Sequence, residues 1–212
     1  MPDSRTCGCP ALHRPHAKRE TQGQARIRAE LLACRITGRE VHFARERQGV
    51  RSMSAKELVL VRHAHAEPEA ASGRDLDRPL STLGFSQAEK AASWLIERQI
   101  RPARALCSHA LRTLQTLAAL RSRMPDVEVL EESSIYEATP GDLLALIDKH
   151  RLSSPLLLVG HNPGLETLVT LLADGRSTDG RGMPTGSIAR LRLKEGVALE
   201  PGCAELIEFW WP

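Results

Sequence analysis

The sequence predicts an α/β protein, a three-layer α/β/α sandwich around a mostly parallel central sheet. Short apolar runs of strand length alternate along the chain with helical patterns of three- and four-residue spacing. Two runs, at residues 58–61 and 155–159, are entirely apolar. Such runs are typical of parallel strands that are covered on both faces. A central, buried sheet with helices on each side therefore fits the pattern best.

The first half of this pattern predicts three strands and two helices. A strand over 58–61 leads, through a loop rich in Gly, Asp and Pro, to an amphipathic helix that starts at Ser81 or Thr82. The apolar positions of that helix recur at helical spacing: Phe85, Ala88, Ala92 and Leu95. A strand at 103–107 is followed by the second helix and by a short strand at 127–130.

The second half begins with a helix whose start is well specified. Thr139 can cap it, Pro140 suits the first helical position, and Asp142 complements the helix dipole in the first turn. A strand at 155–159 follows, and a further helix opens at 162–164. Two closing strands are predicted at residues 187–193 and 204–209.

The first 52 residues differ from the rest in charge and pattern. They hold 11 Lys+Arg against 5 Asp+Glu, which leaves 18 basic and 21 acidic residues beyond them. They also lack sustained apolar periodicity. We expect residues 1–52 to be a disordered leader or a misassigned start upstream of Met53, and residues 53–212 to form the domain. Because that domain is mildly acidic, nucleic-acid binding is not expected.

Composition also restricts location and cofactors. No stretch has the roughly 20 apolar residues of a membrane helix, and the N-terminus lacks the apolar core of a secretory signal. We therefore expect a cytoplasmic protein with reduced cysteines and no membrane partner. Cys7 and Cys9 are separated by one residue, whereas paired cysteines of structural zinc sites are usually two or more apart. No metal and no cofactor are predicted.

Polar residues suited to an anion follow three of the predicted strands. Arg62 and His63 come at the end of the first strand. Arg112 lies about one helical turn past the second, and His161 follows the strand at 155–159. The carboxyl ends of parallel strands form one edge of a sheet, where ligands collect. Each residue alone has a structural explanation, but together they predict one shared site.

The chemistry of that site points to phosphate. Arginine forks match phosphate oxygens in pairs, and the helix that opens at 162–164 directs free backbone amides to the same edge. No thiol or carboxylate cluster lies in a reactive position, so a histidine is the expected nucleophile. Neighbouring positive charge should keep the His63 imidazole neutral by lowering its pKa, so that it can attack phosphorus. Arg62, Arg112 and a protonated His161 would stabilise the transferring group.

Four segments also resemble motifs of a known family, the phosphoglycerate mutase-like histidine phosphatase superfamily, and within it the small SixA-type phosphohistidine phosphatases. The segments span residues 60–64, 78–84, 108–116 and 159–163, and the resemblance covers about 57–193. Ala64 stands where the family's arginine-histidine-glycine motif usually has glycine. The resemblance implies a phosphoglycerate mutase-like fold with four catalytic residues. It implies a nucleophile, His63, two phosphate-binding arginines, Arg62 and Arg112, and a stabilising second histidine, His161.

The substrate is expected to be a phosphohistidine in a protein, such as a phosphotransfer or phosphorelay protein. The chain leaves little room for the large lid subdomain of bigger relatives, so the site should be open. Small phosphoesters are the second possibility, and a non-catalytic phosphoprotein-binding module is the third. Glu137 stands where a family acid could lie, although a structural or solvent-facing role is equally compatible. His65 and His109 are expected to be surface neighbours. The sequence gives no prediction of oligomeric state.

Overall fold

The computed structural model describes residues 56–177 and 182–212. The predicted leader and the predicted start at Met53 lie outside these residues. Within them the chain forms six strands: β1 (Glu57–Arg62), β2 (Arg104–Cys107), β3 (Glu128–Glu131), β4 (Leu156–Gly160), β5 (Ile188–Leu193) and β6 (Ala204–Trp210). The helices are α1 (Thr82–Glu97), α2 (Leu111–Arg121), α3 (Pro140–His150) and α4 (Gly164–Asp174). Every predicted strand and helix is present, with bounds shifted by a few residues at most.

The strands form one sheet in the order β3-β2-β4-β1-β5-β6. The first four strands in that order are mutually parallel. At the other side, β5 pairs antiparallel with β1, and β6 pairs antiparallel with β5. This arrangement confirms the mostly parallel sheet. It also places the carboxyl ends of β1, β2 and β4 side by side, because β4 pairs with both of the other strands.

The helices cover both faces of the sheet. Leu58 and Leu60 of β1 belong to a core cluster that contains the buried residues of α3 and α4. Val59 and Val61 belong to a second cluster with α1 and α2. Alternate residues of one strand point to opposite faces, so an entirely apolar strand supplies both cores. The three-layer α/β/α sandwich is therefore confirmed, and no connection within the described residues forms a separate lid subdomain.

Side-chain caps fix the starts of two helices. Ser81, rather than Thr82, is the N-cap of α1, and its hydroxyl accepts a hydrogen bond from the Gly84 amide. Thr139 and Asp142 form a reciprocal capping box at α3, with Pro140 at the first helical position. These are the residues from which the starts were predicted.

Two short 3-10 turns were not predicted from the sequence. They lie at Asp75–Asp77 and Ser133–Ile135, each in a connection beside the carboxyl edge of the sheet. Three-residue turns carry no periodic apolar signal, so sequence patterning cannot detect them. Within the described ranges, no helix has the length and apolar character needed to cross a membrane.

Candidate active site

The four predicted site residues lie together at the carboxyl edge of the sheet. Arg62, His63, Arg112 and His161 all line one open cavity of about 800 Å³. The backbone joins the strand ends directly, since the amide of His63 donates to the carbonyl of Gly160 over 3.1 Å. The sheet topology thus brings together residues that are up to 99 positions apart in sequence.

The hydrogen bond of His63 defines which ring nitrogen is free. Nδ1 lies 2.8 Å from the carbonyl oxygen of Ala64, which can only accept, so Nδ1 carries the proton. Nε2 then holds a lone pair. The Ala64 segment is itself fixed, because the Ala64 amide donates to Oγ1 of Thr116 in α2. This tautomer, inferred from the hydrogen bond, leaves the lone pair of the neutral ring on Nε2.

Burial and charge together keep His63 neutral. Its pKa falls from 6.5 to about 4, chiefly because the ring is removed from water, while the bond to Ala64 acts in the opposite direction. The positive charges of Arg112, Arg62 and Arg78 lower the pKa further. The lowered pKa of His63 therefore agrees with the sequence-based prediction. Burial, however, lowers this pKa more than the neighbouring positive charges from which the shift was predicted.

His161 lies beside His63, with the ring centroids 5.1 Å apart. Its pKa falls to about 3, first through burial and then through the neighbouring His63 and Arg112. The expectation of a protonated His161 is therefore wrong for the protein alone. Nε2 of His161 lies 2.9 Å from the hydroxyl of Ser108. If that hydroxyl donates to Nε2, the neutral ring keeps a proton on Nδ1 and can still act as a hydrogen-bond donor.

The two arginines are held differently. Arg62 donates from Nη1 to the carbonyl of Met183 over 2.6 Å, while its buried Nε has no hydrogen-bond partner in the described structure. Arg112 is only 6% exposed and binds Asp75 twice. Its Nη1 donates to the Asp75 carbonyl over 2.7 Å and its Nη2 to the carboxylate over 2.9 Å. Both guanidinium groups are thus oriented by contacts made within the chain.

Three further residues belong to the site although their roles were not predicted. Asp75, Arg78 and Tyr136 all line the cavity. The Asp75 carboxylate accepts from Arg78 over 2.8 Å and from the Tyr136 hydroxyl over 2.7 Å, in addition to Arg112. The hydrogen bond from Tyr136 is the largest cause that lowers the pKa of Asp75, and the bonds from Arg78 and Arg112 act in the same direction. The same bond to Asp75 raises the pKa of Tyr136. In the sequence, Asp75 looks like an ordinary loop residue.

The remaining candidates occupy the rim or lie apart from it. Glu137 is exposed and lines the cavity, with a left-handed backbone at φ +56° that is unusual for a residue with a side chain. His65 is also exposed on the cavity wall, and its Nδ1 lies 2.8 Å from the Ser81 hydroxyl. His109 packs edge-on to Tyr136 and is not part of the cavity lining.

The donor set is suited to an anion rather than to a metal ion. Within the described residues, no group of three or more His, Cys, Asp or Glu side chains is arranged to hold a metal. The cavity instead collects guanidinium groups around two neutral imidazoles. One neutral nucleophile, several fixed cations and a neutral hydrogen-bond donor can together bind a phosphoryl group and accept it.

Comparison with known proteins identifies the family. Residues 58–151 match the model of the histidine phosphatase superfamily, branch 1. An uncharacterised protein of Mycobacterium tuberculosis is 35% identical over 162 residues, which is 72% of this chain and 99% of that protein.

Solved structures share the fold over most of the chain. The crystal structure of a candidate phosphohistidine phosphatase SixA from Agrobacterium tumefaciens is 29% identical and superimposes with a TM-score of 0.64. The match covers 74% of this chain and 99% of that one. A tungstate complex of the protein histidine phosphatase SixA, 24% identical, has the same fold with a TM-score of 0.63 over 74% of this chain and 97% of the other. The chain belongs to branch 1 of the histidine phosphatase superfamily and has a SixA-like fold.

Proposed function

We propose that this chain is a metal-independent phosphatase in which Nε2 of His63 accepts the phosphoryl group, and that its substrate is phosphohistidine in a protein. The hydrogen bond between Nδ1 of His63 and the Ala64 carbonyl is the observation that supports this proposal most directly. Nδ1 is occupied by the Ala64 carbonyl, so the neutral ring has its lone pair on Nε2, in a cavity that also contains Arg62 and Arg112. A neutral, fixed imidazole among cations is what nucleophilic attack on a phosphate dianion requires.

The proposed reaction has two steps. Nε2 of His63 attacks phosphorus, the bond from phosphorus to the substrate nitrogen breaks, and the leaving imidazole keeps the electron pair and takes a proton. Arg62 and Arg112 bind the equatorial oxygens, and His161 donates a hydrogen bond to the same group. Water then attacks the phosphohistidine, releasing inorganic phosphate and restoring neutral His63.

The open cavity supports a protein substrate. Within the described residues no lid subdomain stands over the site, so a side chain that projects from another protein can reach His63. A protonated imidazole is a good leaving group and depends little on an enzymic acid. The similar protein of Agrobacterium tumefaciens, at 29% identity, is a candidate phosphohistidine phosphatase SixA, which favours the same substrate class. A phosphotransfer or phosphorelay protein is the corresponding partner.

Glu137 favours a second candidate, hydrolysis of small phosphoesters. An alkoxide leaving group needs a proton donor, and an exposed carboxyl on the cavity wall is available to supply one. Turnover should therefore be compared on a phosphohistidine protein, a phosphoserine peptide and simple sugar phosphates. Activity confined to the sugar phosphates would refute the phosphohistidine substrate. A Glu137→Gln variant should lose phosphoester turnover while keeping phosphohistidine turnover.

Trapping the intermediate tests the enzyme against a non-catalytic phosphoprotein-binding module. Rapid quenching with labelled substrate should give acid-labile, base-stable phosphate on the protein, and none on His63→Ala. His150→Ala is the matched control, because His150 ends α3 and binds Arg104 at the start of β2, away from the site. Tight phosphate binding without any labelling of the unmodified protein would establish the binding module and overturn the enzyme.

A further inference from the structure

The turn at Asp75–Asp77 places a carboxylate against the phosphate-binding arginine. Asp75 binds Arg112 at two points, through its backbone carbonyl and its carboxylate, and also receives bonds from Arg78 and Tyr136. Three side chains from three different segments of the chain therefore meet on one residue. Asp75 reaches Arg112 across 37 positions and Tyr136 across 61.

The contact between Arg112 and Asp75 matters for stability because the Arg112 side chain is buried. The Arg112 side chain is 7% exposed, while that of Asp75 is 46% exposed. A guanidinium so far removed from water needs a partner for its charge and its N–H groups, or the buried charge is strongly unfavourable. The double contact also fixes the plane of the guanidinium, which a single bond would leave free to rotate.

Tyr136 extends the connection to the second histidine. Its hydroxyl donates to the same carboxylate oxygen that accepts from Arg112. Its ring stands edge-on to His161, with centroids 5.4 Å apart and planes at 87°. The Arg112 guanidinium lies 5.9 Å from the centroid of that ring. Asp75 is thus linked to the proposed phosphate-binding arginine directly and to His161 through one aromatic ring.

We infer that Asp75 is a positioning residue for phosphoryl transfer, which sets the orientation of Arg112 and, through Tyr136, supports His161. The inference rests on the proposed function of the same site. Asp75 touches neither His63 nor His161 by a hydrogen bond. Its effect on the reaction passes through the donors that it holds in place.

Asp77 provides a matched control within the same turn. Its side chain is 43% exposed, close to the 46% of Asp75, but its carboxylate faces Ser72 and Arg74 rather than the cavity residues. Asp75→Asn removes the charge and one acceptor while keeping the size of the side chain, and Asp77→Asn makes the same change outside the network. Tyr136→Phe removes only the hydroxyl that reaches Asp75.

Single-turnover phosphorylation of His63 is the first measurement. Asp75→Asn should slow it at least about 10-fold, and Asp77→Asn should stay within about 2-fold of the unmodified protein. Tyr136→Phe should slow it less than Asp75→Asn does, and the double variant should be no slower than Asp75→Asn alone, because both act through one network. Equal rates for Asp75→Asn and the unmodified protein would overturn the inference. So would equal losses in Asp75→Asn and Asp77→Asn.

A spectroscopic readout separates this inference from the proposed function. The Nε–H signal of Arg112, assigned by its loss in Arg112→Lys, should be sharp in the full chain and should shift or broaden in Asp75→Asn but not in Asp77→Asn. An unchanged signal in Asp75→Asn would overturn the positioning of Arg112, whatever the kinetics. Failure of the unmodified protein to label His63 would instead overturn the proposed function, with the signal still reporting on Asp75.

Discussion

The imidazole rings of His63 and His161 lie with centroids 5.1 Å apart and planes inclined at 56°. At this distance a proton on one ring disfavours a proton on the other, and the charge of Arg112 lowers the pKa of both. Burial acts in the same direction and is the larger cause for each ring. The pair is therefore held neutral over the range in which a free imidazole would begin to gain charge.

A direct titration of His63 should reveal this environment. Its pKa in the folded protein is about 4, so its ring-proton NMR signal should shift with a midpoint near pH 4 rather than near 6.5. His63→Asn assigns the signal by its disappearance. A midpoint near 6.5 would show that the ring is not shielded as the structure indicates, and that its surroundings do not hold His63 neutral.

The same shift predicts how stability depends on pH. The folded-state pKa is lowered, so the unfolded chain takes up the proton first as the pH falls below 6.5. The stability associated with neutral His63 is present above pH 6.5 and is lost as the pH falls toward 4. A fall from 6.5 to about 4 corresponds to about 3 kcal/mol at low pH. Urea unfolding at pH 7.5 and 4.5 should show a smaller acid-induced loss for His63→Asn than for the unmodified protein.

A loss of equal size in both proteins would mean that other groups dominate the acid response. His161→Asn provides a second comparison, because the pKa of His161 is lowered to about 3 by a similar combination of burial and charge. Since the two rings are coupled, the effects of the two substitutions should not add.

The fold could be predicted from the sequence, and so could the meeting of Arg62, His63, Arg112 and His161 at one sheet edge, because the signals for both are local. An apolar run such as that of β1 identifies a buried strand, and a polar residue directly after it identifies the ligand edge of the sheet. Asp75 and Tyr136 carry no such signal. Both residues join the site through contacts with Arg112, which lies far from each of them in sequence. These contacts depend on how the loop at 72–79 folds back over the edge of the sheet.

Replacing Arg112 by lysine tests the need for a forked donor. The guanidinium contacts two acceptors of Asp75 at once, and lysine has one nitrogen that cannot reproduce this geometry. We expect Arg112→Lys to lower kcat/KM about 100-fold on phosphohistidine protein, although the charge is kept. Arg121→Lys, at the exposed end of the same helix, should remain within about 2-fold. Near-normal activity of Arg112→Lys would show that charge alone suffices at this position.

A substitution at Gly84 tests whether close packing against α1 holds the segment after His63. A Cβ at this position would collide with the backbone carbonyl of His65, which cannot move without displacing the chain that follows His63. The same carbonyl accepts a hydrogen bond from the Ser81 amide, so the start of α1 and the segment that carries His63 are joined at one point.

Gly84→Ala should therefore lower stability by about 1–3 kcal/mol and reduce phosphorylation of His63. Gly141→Ala is the matched control near the start of α3, where a Cβ would meet nothing closer than the Thr139 hydroxyl at 3.7 Å. That control should be neutral or stabilising by up to about 1 kcal/mol, because alanine favours a helix more than glycine does. Chemical denaturation measures the stability of both variants, and rapid quenching measures the labelling. Equal behaviour of the two variants would mean that the contact between α1 and His65 is not needed to hold His63 in place.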